Sequence, residues 1–312
     1  MERNTSTEAA LIRVRANGVY FYSRYVVYFT ETIIIVLANL LTLIAVKRSM
    51  KLRNVPANTF ILSLACADAM IGVLSPATLM TAITYDKHVW ISSVCLFRGP
   101  YYAMFSTSLH TLLAIAIDRY IAVVHPLTYR MRMTINIARN ICICIWLVQL
   151  TLWETLTCYY GSRISVGNGR PGVSQDIFPG KIVAFLTQIE ILIPILGNII
   201  LYIVIYMKLR KRAVFPVSNI NNVETLNVNQ ASAKTKVFTK MMALVVGYLI
   251  LAWSPYYIII PLYKMNDPGT PTWYVYTLDF VSILLYTNSF MNPIIYSWQY
   301  RDFREAYIKI LK

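Results

Sequence analysis

The chain has 312 residues, of which 57% are hydrophobic and only 14% are charged. Soluble domains carry about 25% charged residues, so this composition argues against a soluble fold, a disordered chain and a nucleic-acid-binding domain. The net charge of +15 resides in short basic clusters between long apolar runs, which is the pattern of a membrane protein. The five cysteines and three histidines show neither a disulfide scaffold nor zinc-ligand spacing.

Seven apolar runs are long enough to cross a membrane, since a spanning helix needs about 20 apolar residues. They cover residues 25–46, 56–82, 94–123, 134–157, 181–207, 237–263 and 272–297. The third and seventh stand out least by hydropathy, since each carries polar residues. The segment 299–311 is amphipathic and too polar to span, which indicates a helix on the membrane surface.

These runs predict an all-α integral membrane protein, a seven-transmembrane helix bundle with a short amphipathic surface helix at its C-terminus. Residues 1–24 form an extracellular N-terminus, 25–297 the membrane domain, and 298–312 the surface helix and tail. With the N-terminus outside, the inner segments carry 18 Lys and Arg residues and the outer segments 10, so the positive-inside rule favours this orientation. Asn4 begins an Asn-Thr-Ser glycosylation acceptor that agrees with it.

Ionisable side chains inside membrane spans are costly and mark functional positions. Here they are Glu31, Asp68, Asp118, Arg119, Glu154, Glu190 and Asp279. With its Asp-Arg-Tyr and Asn-Pro-x-x-Tyr motifs, the chain resembles a rhodopsin-like (class A) G-protein-coupled receptor over about residues 25–312. The resemblance rests on one landmark in each span, in order: Asn39, Asp68, Arg119, Trp146, Pro194, Trp253-Ser254-Pro255 and Asn292-Pro293-x-x-Tyr296. A transporter or channel is the alternative from another class, and it would more often show paired repeats.

The resemblance implies an activation switch at the inner end of the bundle. In this family Asp118 holds Arg119 in the inactive state, and on activation the arginine moves towards Tyr202 and Tyr296. The residues expected to couple to the G-protein or to switch are Asp118, Arg119, Tyr120, Tyr202, Trp253, Pro255, Asn292, Pro293 and Tyr296. The family's second acidic lock on the sixth helix is replaced by Thr235, so we expect a weaker inactive state with some ligand-independent activity.

The resemblance also implies a sodium ion and an outer disulfide bridge. The sodium pocket comprises Asp68, Ser108, Asn288 and Ser289, and no other cofactor is expected. The alternative is a protonated Asp68 that is hydrogen-bonded to Asn39 and Asn292, because a buried carboxylate needs a cation, a proton or donors. The bridge joins Cys95 to Cys158.

The implied ligand pocket is aromatic with one acid. Its residues are Tyr101, Met104, Phe105, Thr187, Glu190, Trp253, Tyr256, Tyr257 and Tyr286. Three known anchors are missing. Tyr101, or Pro100 if the upper third helix is shifted by one position, replaces the aspartate of monoamine receptors; Tyr286 replaces the lysine of opsins, and Ile260 the asparagine of adenosine receptors.

Glu190 suggests a ligand with an amine or a guanidine, either a small molecule or a short peptide, held by charge and cation–π contact. The alternatives are a proton shared between Glu190 and Glu154, or hydrogen bonds that Glu190 accepts from Gln188 or from tyrosine hydroxyls. A nucleoside or lipid ligand also stays open. The expected protein is a multi-pass plasma-membrane receptor and not an enzyme. Its partners are a heterotrimeric G-protein, an extracellular ligand and membrane lipid, without nucleic acid.

Overall fold

The structure, a computed structural model, describes residues 18–81, 94–163, 181–214, 223–259 and 271–312. Every regular element within these ranges is helical. Their long helices are α1 (Gly18–Arg48), α2 (Pro56–Thr81), α3 (Gly99–Val124), α4 (Ile135–Arg163), α5 (Lys181–Val214), α6 (Val223–Ile259), α7 (Thr272–Gln299) and α8 (Arg301–Leu311). A π-helical turn, Val94–Arg98, leads into α3, and short helices at Met50–Arg53 and Pro126–Arg132 follow α1 and α3.

Six of the described helices contain a segment long and apolar enough to cross a membrane, and α7 is not among them. The segment of α3, Leu96–Val124, is the least apolar of the six. This agrees with the expectation that the third and seventh spans stand out least by hydropathy. The polar side chains of α7 include Asn288, Ser289 and Asn292, and all three are buried. The low hydropathy of α7 therefore reflects an internal polar network.

The helix α3 lies at the centre of the bundle, where it contacts α2, α4, α5 and α6. In a bilayer, helices associate through close packing and hydrogen bonds, because lipid is as apolar as the side chains. Leu109 of α3 and Leu249 of α6 are both buried in the same core cluster. These two leucines make the buried core between α3 and α6 aliphatic at both positions. On the lipid side of α4, Leu147 and Val148 are exposed.

A glycine allows α1 and α2 to approach closely. A Cβ atom at Gly72 would lie 2.8 Å from Val36 Cγ2 and 3.3 Å from the Thr32 carbonyl oxygen. Any side chain at this position would therefore force the two helices apart. Small residues serve this purpose at many membrane-helix contacts.

The amphipathic helix α8 is present and packs its apolar face against the bundle. Phe303 and Tyr307 are buried, whereas Leu311 at the end of the predicted face is exposed. The Phe303 ring lies 5.4 Å from that of Tyr296, and the Tyr307 hydroxyl is 2.8 Å from Thr42 Oγ1. Burial raises the pKa of Tyr307, so its phenol stays protonated. These contacts fix α8 beneath α1 and α7.

Candidate functional site

The outer half of the bundle contains a cavity of about 320 Å³. Five residues predicted to contact a ligand line it: Tyr101, Phe105, Trp253, Tyr256 and Tyr286. Their rings form one continuous aromatic wall. Because the cavity is concave, mostly apolar and of the size of known small-molecule pockets, it can hold a compact organic ligand.

Phe105 occupies the middle of this wall. Its ring lies 5.1 Å from that of Tyr101, 5.9 Å from that of Tyr286 and 6.4 Å from that of Trp253, all edge to face. The hydroxyls of Tyr101 and Tyr286 are hydrogen-bonded to each other, which joins α3 to α7. Trp253 in turn contacts Tyr256 at 5.9 Å. A ligand that displaces any of these rings would move side chains on α3, α6 and α7 together.

Three other predicted contact residues do not line the cavity. Met104 is buried in a separate cluster with Ile71, Ala103 and Trp153, because one residue along a helix turns the side chain by about 100°. The ring of Tyr257 lies 6.4 Å from that of Trp253 in a tilted arrangement. The third, Glu190, is described next, and the side chain of Thr187 lies outside the described residues.

Glu190 lies behind the cavity wall, between α5 and α3. Ser106 Oγ donates a hydrogen bond of 2.5 Å to Glu190 Oε1, and His110 Nδ1 lies 3.7 Å from the same oxygen. Ser106 itself lines the cavity, so it separates the carboxylate from the cavity. The structure does not bring Glu190 to Glu154, whose carboxylate instead accepts a bond from Cys158 Sγ at 3.3 Å.

Two arginines line the cavity, and the sequence reasoning assigned neither of them to it. Arg24 of α1 pairs with Asp279 of α7, Nη1 to Oδ2 at 3.1 Å. Arg98 is only 7% exposed and lines the cavity beside Tyr101 and Tyr102. Helical spacing could have found it, since Arg98 lies one turn before Tyr101 and residues three or four apart share a face. The Arg24–Asp279 pair joins residues 255 apart, and no local pattern indicates it.

A polar network lies in the centre of the bundle around Asp68, which is fully buried. Ser108 Oγ donates to Asp68 Oδ1 at 3.0 Å, and Asn292 Nδ2 donates to Asp68 Oδ2 at 2.9 Å. Asn39 donates to the carbonyl oxygen of Ser289 at 2.9 Å. The alternative to sodium was a protonated Asp68 that is hydrogen-bonded to both Asn39 and Asn292. In the described part of the chain, Asn292 bonds to Asp68 and Asn39 bonds elsewhere. Among the described residues, Asn288 Oδ1 is buried without a hydrogen-bond partner.

At the inner end of α3, Asp118 holds Arg119. Arg119 Nε donates to Asp118 Oδ2 at 2.9 Å, and Arg119 Nη2 bonds to the same oxygen. Nη2 also donates to the Tyr129 hydroxyl at 3.0 Å. Burial raises the pKa of Tyr129, which lies outside the spans, so the phenol is neutral when it accepts this bond.

Phe238 of α6 covers the other side of this guanidinium. The carbon Cζ of Arg119 lies 4.4 Å from the centre of the Phe238 ring, a distance typical of cation–π contacts. The hydroxyls of Tyr202 and Tyr296 are buried without hydrogen-bond partners among the described residues. Arg119 is thus bound to its neighbour on α3, and the two tyrosines are not engaged.

The remaining predicted switch residues are distributed along α3, α6 and α7. Tyr120 is half-buried. Pro255 lies inside α6 and Pro293 inside α7, where each removes one intrahelical donor. Asn4 and the side chain of Cys95 lie outside the described residues, so the glycosylation site and the bridge to Cys158 stay predictions.

Comparison with known proteins places the chain in a family. The model of the seven-transmembrane receptors (rhodopsin family) matches residues 38–296. The adenosine receptor A2a of Equus caballus is 29% identical, over 89% of this chain and 69% of the receptor. The trace amine-associated receptor 7d of Mus musculus is 28% identical, over 92% of this chain and 81% of the receptor. The chain therefore belongs to the rhodopsin family of seven-transmembrane receptors and is a cell-surface G-protein-coupled receptor.

Proposed function

We propose that a ligand bound in the outer cavity shifts this receptor to a state that activates a heterotrimeric G-protein at the inner face. Residues 1–24 would lie outside the cell, 25–297 would cross the membrane, and 298–312 would form the surface helix and tail. The chain would not act as an enzyme itself, and its effect would be nucleotide exchange on its partner.

One observation carries this proposal: the residues that line the cavity also belong to the core that reaches the inner switch. Leu109 lines the cavity and belongs to the same cluster as Leu249 and Trp253 of α6. That cluster continues to Phe238, which covers Arg119. Packed cores switch between discrete arrangements rather than deforming smoothly, so a ligand that displaces Trp253 would also displace the inner half of α6.

The inner end offers a second arrangement for Arg119. Two buried hydroxyls without partners carry a desolvation penalty of about 1–3 kcal/mol each. An outward movement of α6 would remove Phe238 from the guanidinium and let Arg119 reach Tyr202 and Tyr296. The ligand need only bind this second state more tightly than the first, since differential affinity is what shifts a two-state equilibrium.

We also propose that sodium binds at Asp68. The carboxylate would be the charged ligand, and oxygens of Ser108, Asn288 and Ser289 would complete the shell, with Asn292 fixing the carboxylate from the other side. Hard oxygen donors of this kind suit a hard cation. The unpartnered Asn288 oxygen and the two hydrogen bonds that reach Asp68 support this assignment. A bound cation would favour the state in which Asn292 faces Asp68.

The ligand is a separate question. The names of the two relatives concern a nucleoside and trace amines, and the cavity volume accommodates either size. An amine or guanidine anchored at Glu190 requires that carboxylate to leave Ser106 and turn into the cavity. If it does, Glu190→Gln should weaken agonist potency at least about tenfold, which corresponds to about 1.4 kcal/mol.

The test is a G-protein dissociation assay in cells that express the chain, with a panel of amines, organic anions, nucleosides, peptides and lipids. We expect a response that disappears in Arg119→Ala and in Arg119→Lys, because both lack the planar guanidinium fork. Surface expression must match the wild type. A response unchanged in both variants, or uptake or conductance without G-protein dependence, would contradict the proposal and favour a transporter or channel.

A further inference from the structure

We propose that a second cavity, between α1 and α2, binds a sterol from the membrane. The flat apolar body of the sterol would lie against Phe29 and Pro76, and its hydroxyl would bond to the side chains of Thr32 and Ser75. This inference goes beyond the proposed function, because it concerns a second ligand that comes from the lipid and not from the extracellular fluid.

The second cavity has a volume of about 350 Å³ and lies on the lipid side of the bundle. Val26 and Phe29 line it, and both side chains are exposed. They lie within the membrane span of α1, and Ser75 and Pro76 lie within that of α2. Lipid, rather than water, is therefore what the surroundings supply to this cavity.

The chemistry of the lining selects a neutral lipid. None of the described residues that line the cavity is charged, so a phosphate headgroup would find no cation there. The apolar side chains of the lining are Val26, Phe29 and Pro76, and its polar side chains carry only hydroxyl groups. A lining of this kind matches a ligand that is apolar except for one hydroxyl.

The hydroxyls of Thr32 and Ser75 provide the polar contact. Thr32 Oγ1 lies 3.0 Å from Ser75 Oγ, whereas Thr30 donates to its own helix, to the carbonyl oxygen of Val26 at 2.8 Å. A hydroxyl has one donor and two acceptor positions, so the Thr32–Ser75 pair can accept a bond from a third hydroxyl. No water supplies that bond in the hydrocarbon region, and a hydroxylated lipid would.

A rigid ligand suits this cavity better than a flexible chain. The rings of Phe29 and Pro76 present flat surfaces, one from each helix. A fused-ring sterol has little conformational freedom to lose on binding, whereas an acyl chain must be ordered at a cost in entropy. The combination of one hydroxyl and a rigid apolar body is that of a sterol.

The second cavity shares part of its wall with the outer cavity. Tyr28 and Ser75 line both. The Tyr28 ring lies 5.5 Å from that of Tyr286, and its other neighbour, the guanidinium carbon of Arg24, lies 5.6 Å from its centre. A sterol that supports Tyr28 from the lipid side would hold the aromatic wall of the outer cavity in place and stabilise the receptor.

The experiment measures labelling of the purified full chain by a photoreactive cholesterol analogue in phosphatidylcholine nanodiscs. Mass spectrometry of the labelled peptides gives the position, which we expect on the outer halves of α1 and α2. Cholesterol should displace the label. Epicholesterol, whose hydroxyl is inverted, should compete at least about fivefold more weakly, the effect of one lost hydrogen bond. The mirror-image form of cholesterol, which has the same effect on the bilayer, and the single-chain lipid monooleoylglycerol should also compete more weakly.

Two variants assign the label to this cavity. Val26→Trp fills the cavity and should abolish the labelling of α1 and α2, whereas Val148→Trp, on the exposed lipid side of α4, should leave it unchanged. Cholesterol should raise the unfolding temperature of the wild type and of Val148→Trp but not that of Val26→Trp, since a ligand that binds the folded state stabilises it.

A double variant tests the polar contact. Thr32→Val with Ser75→Ala removes both hydroxyls and should weaken cholesterol at least about fivefold. Epicholesterol should bind this variant as it binds the wild type, which also reports that the variant is folded.

Four results would overturn the proposal: equal labelling of Val26→Trp and the wild type, equal competition by cholesterol and its mirror image, unchanged cholesterol affinity in the double variant, or stronger competition by monooleoylglycerol. The last would assign the cavity to a single-chain lipid. These measurements use no G-protein, so they neither depend on the proposed receptor activity nor test it.

Discussion

Two buried arginines mark the ends of α3, and their surroundings are opposite. Arg119 at the inner end is 5% exposed, bonded to Asp118 and covered by Phe238. Arg98 at the outer end is 7% exposed and lines a cavity whose described lining includes no acid. The difference teaches that burial alone does not assign a role. A cation whose counter-charge is the neighbouring residue belongs to an internal switch, whereas one that lines a cavity borders the space that a ligand would occupy.

The largest expected effect is the loss of stability when Asp118 is deprived of Arg119. Arg119→Ala leaves Asp118 buried without its cation, and removal of one member of a buried ion pair costs about 3–5 kcal/mol. The thermal unfolding of the purified receptor should show this loss. Arg139→Ala is the matched control, because Arg139 is exposed and donates to the Asn136 side chain at 3.1 Å, with no buried acid involved in that bond. Equal unfolding temperatures of the two variants would show that the buried pair of Arg119 and Asp118 does not stabilise the receptor.

The next effect lies between the two arginines, at Asp68. Because a sodium ion at Asp68 would favour the inactive arrangement, raising sodium should weaken agonist affinity by about tenfold, within the usual range of allosteric coupling. Asp68→Asn should abolish this sodium effect, and Asp302→Asn, at a half-buried position on α8, should retain it. Agonist competition curves in sodium and in potassium salts measure both. Identical curves for the wild-type receptor would instead favour a protonated Asp68.

The contact between Phe238 and Arg119 predicts a smaller change. Thr235 stands where relatives of this family often have an acid, so the ring of Phe238 is the restraint that α6 supplies. Phe238→Leu removes a cation–π contact worth about 1 kcal/mol and should raise basal G-protein activity about fivefold. Val237→Leu, at the exposed neighbouring position, should leave it unchanged. Basal activity in Phe238→Leu equal to the wild type, at matched surface expression, would show that Asp118 alone restrains Arg119.

The sequence predicted most of what lies within one helix and less of what lies between helices. Asp118 with Arg119 follows from local spacing, and so does the face of Tyr101, Phe105 and Ser108. Met104, which the same spacing assigned to that face, lies in a separate cluster. The approach of Asp68 to Ser108 and Asn292 came from the family resemblance, because contacts between residues 40 and 224 apart leave no local pattern. Their roles stay predictions.

The sequence was least informative about which charged residues line the cavity, because it pointed to Glu190 and not to Arg98. Arg98 was not assigned to the ligand pocket, although it lies near the start of the predicted span 94–123. Glu190 was given weight as the one acid of the pocket, although Ser106 and His110, on a different helix, accompany its carboxylate. Which side chain separates an acid from a cavity depends on how two helices are rotated, and neither spacing nor composition specifies that rotation.

A third arginine lies on the exposed surface and should contribute least to the stability of the receptor. Arg301 of α8 donates to Glu305 Oε1 at 2.6 Å, a geometry as good as that of Arg119 with Asp118, but its side chain is 80% exposed. Water screens such a pair and side-chain entropy opposes it, so Glu305→Gln should leave the unfolding temperature unchanged at neutral pH.

The pH dependence of this pair has a definite sign. The hydrogen bond from Arg301 lowers the pKa of Glu305, so any stability it contributes is present above the ordinary glutamate pKa and is lost as the pH falls through the lowered value. Because water screens this pair, unfolding temperatures of the wild type and Glu305→Gln should coincide at pH 7 and at pH 2. A clear difference at pH 7 that vanishes at pH 2 would show that α8 docking depends on this exposed pair. In that case an exposed ion pair with a short distance would stabilise the receptor, as only the buried arginines are expected to do.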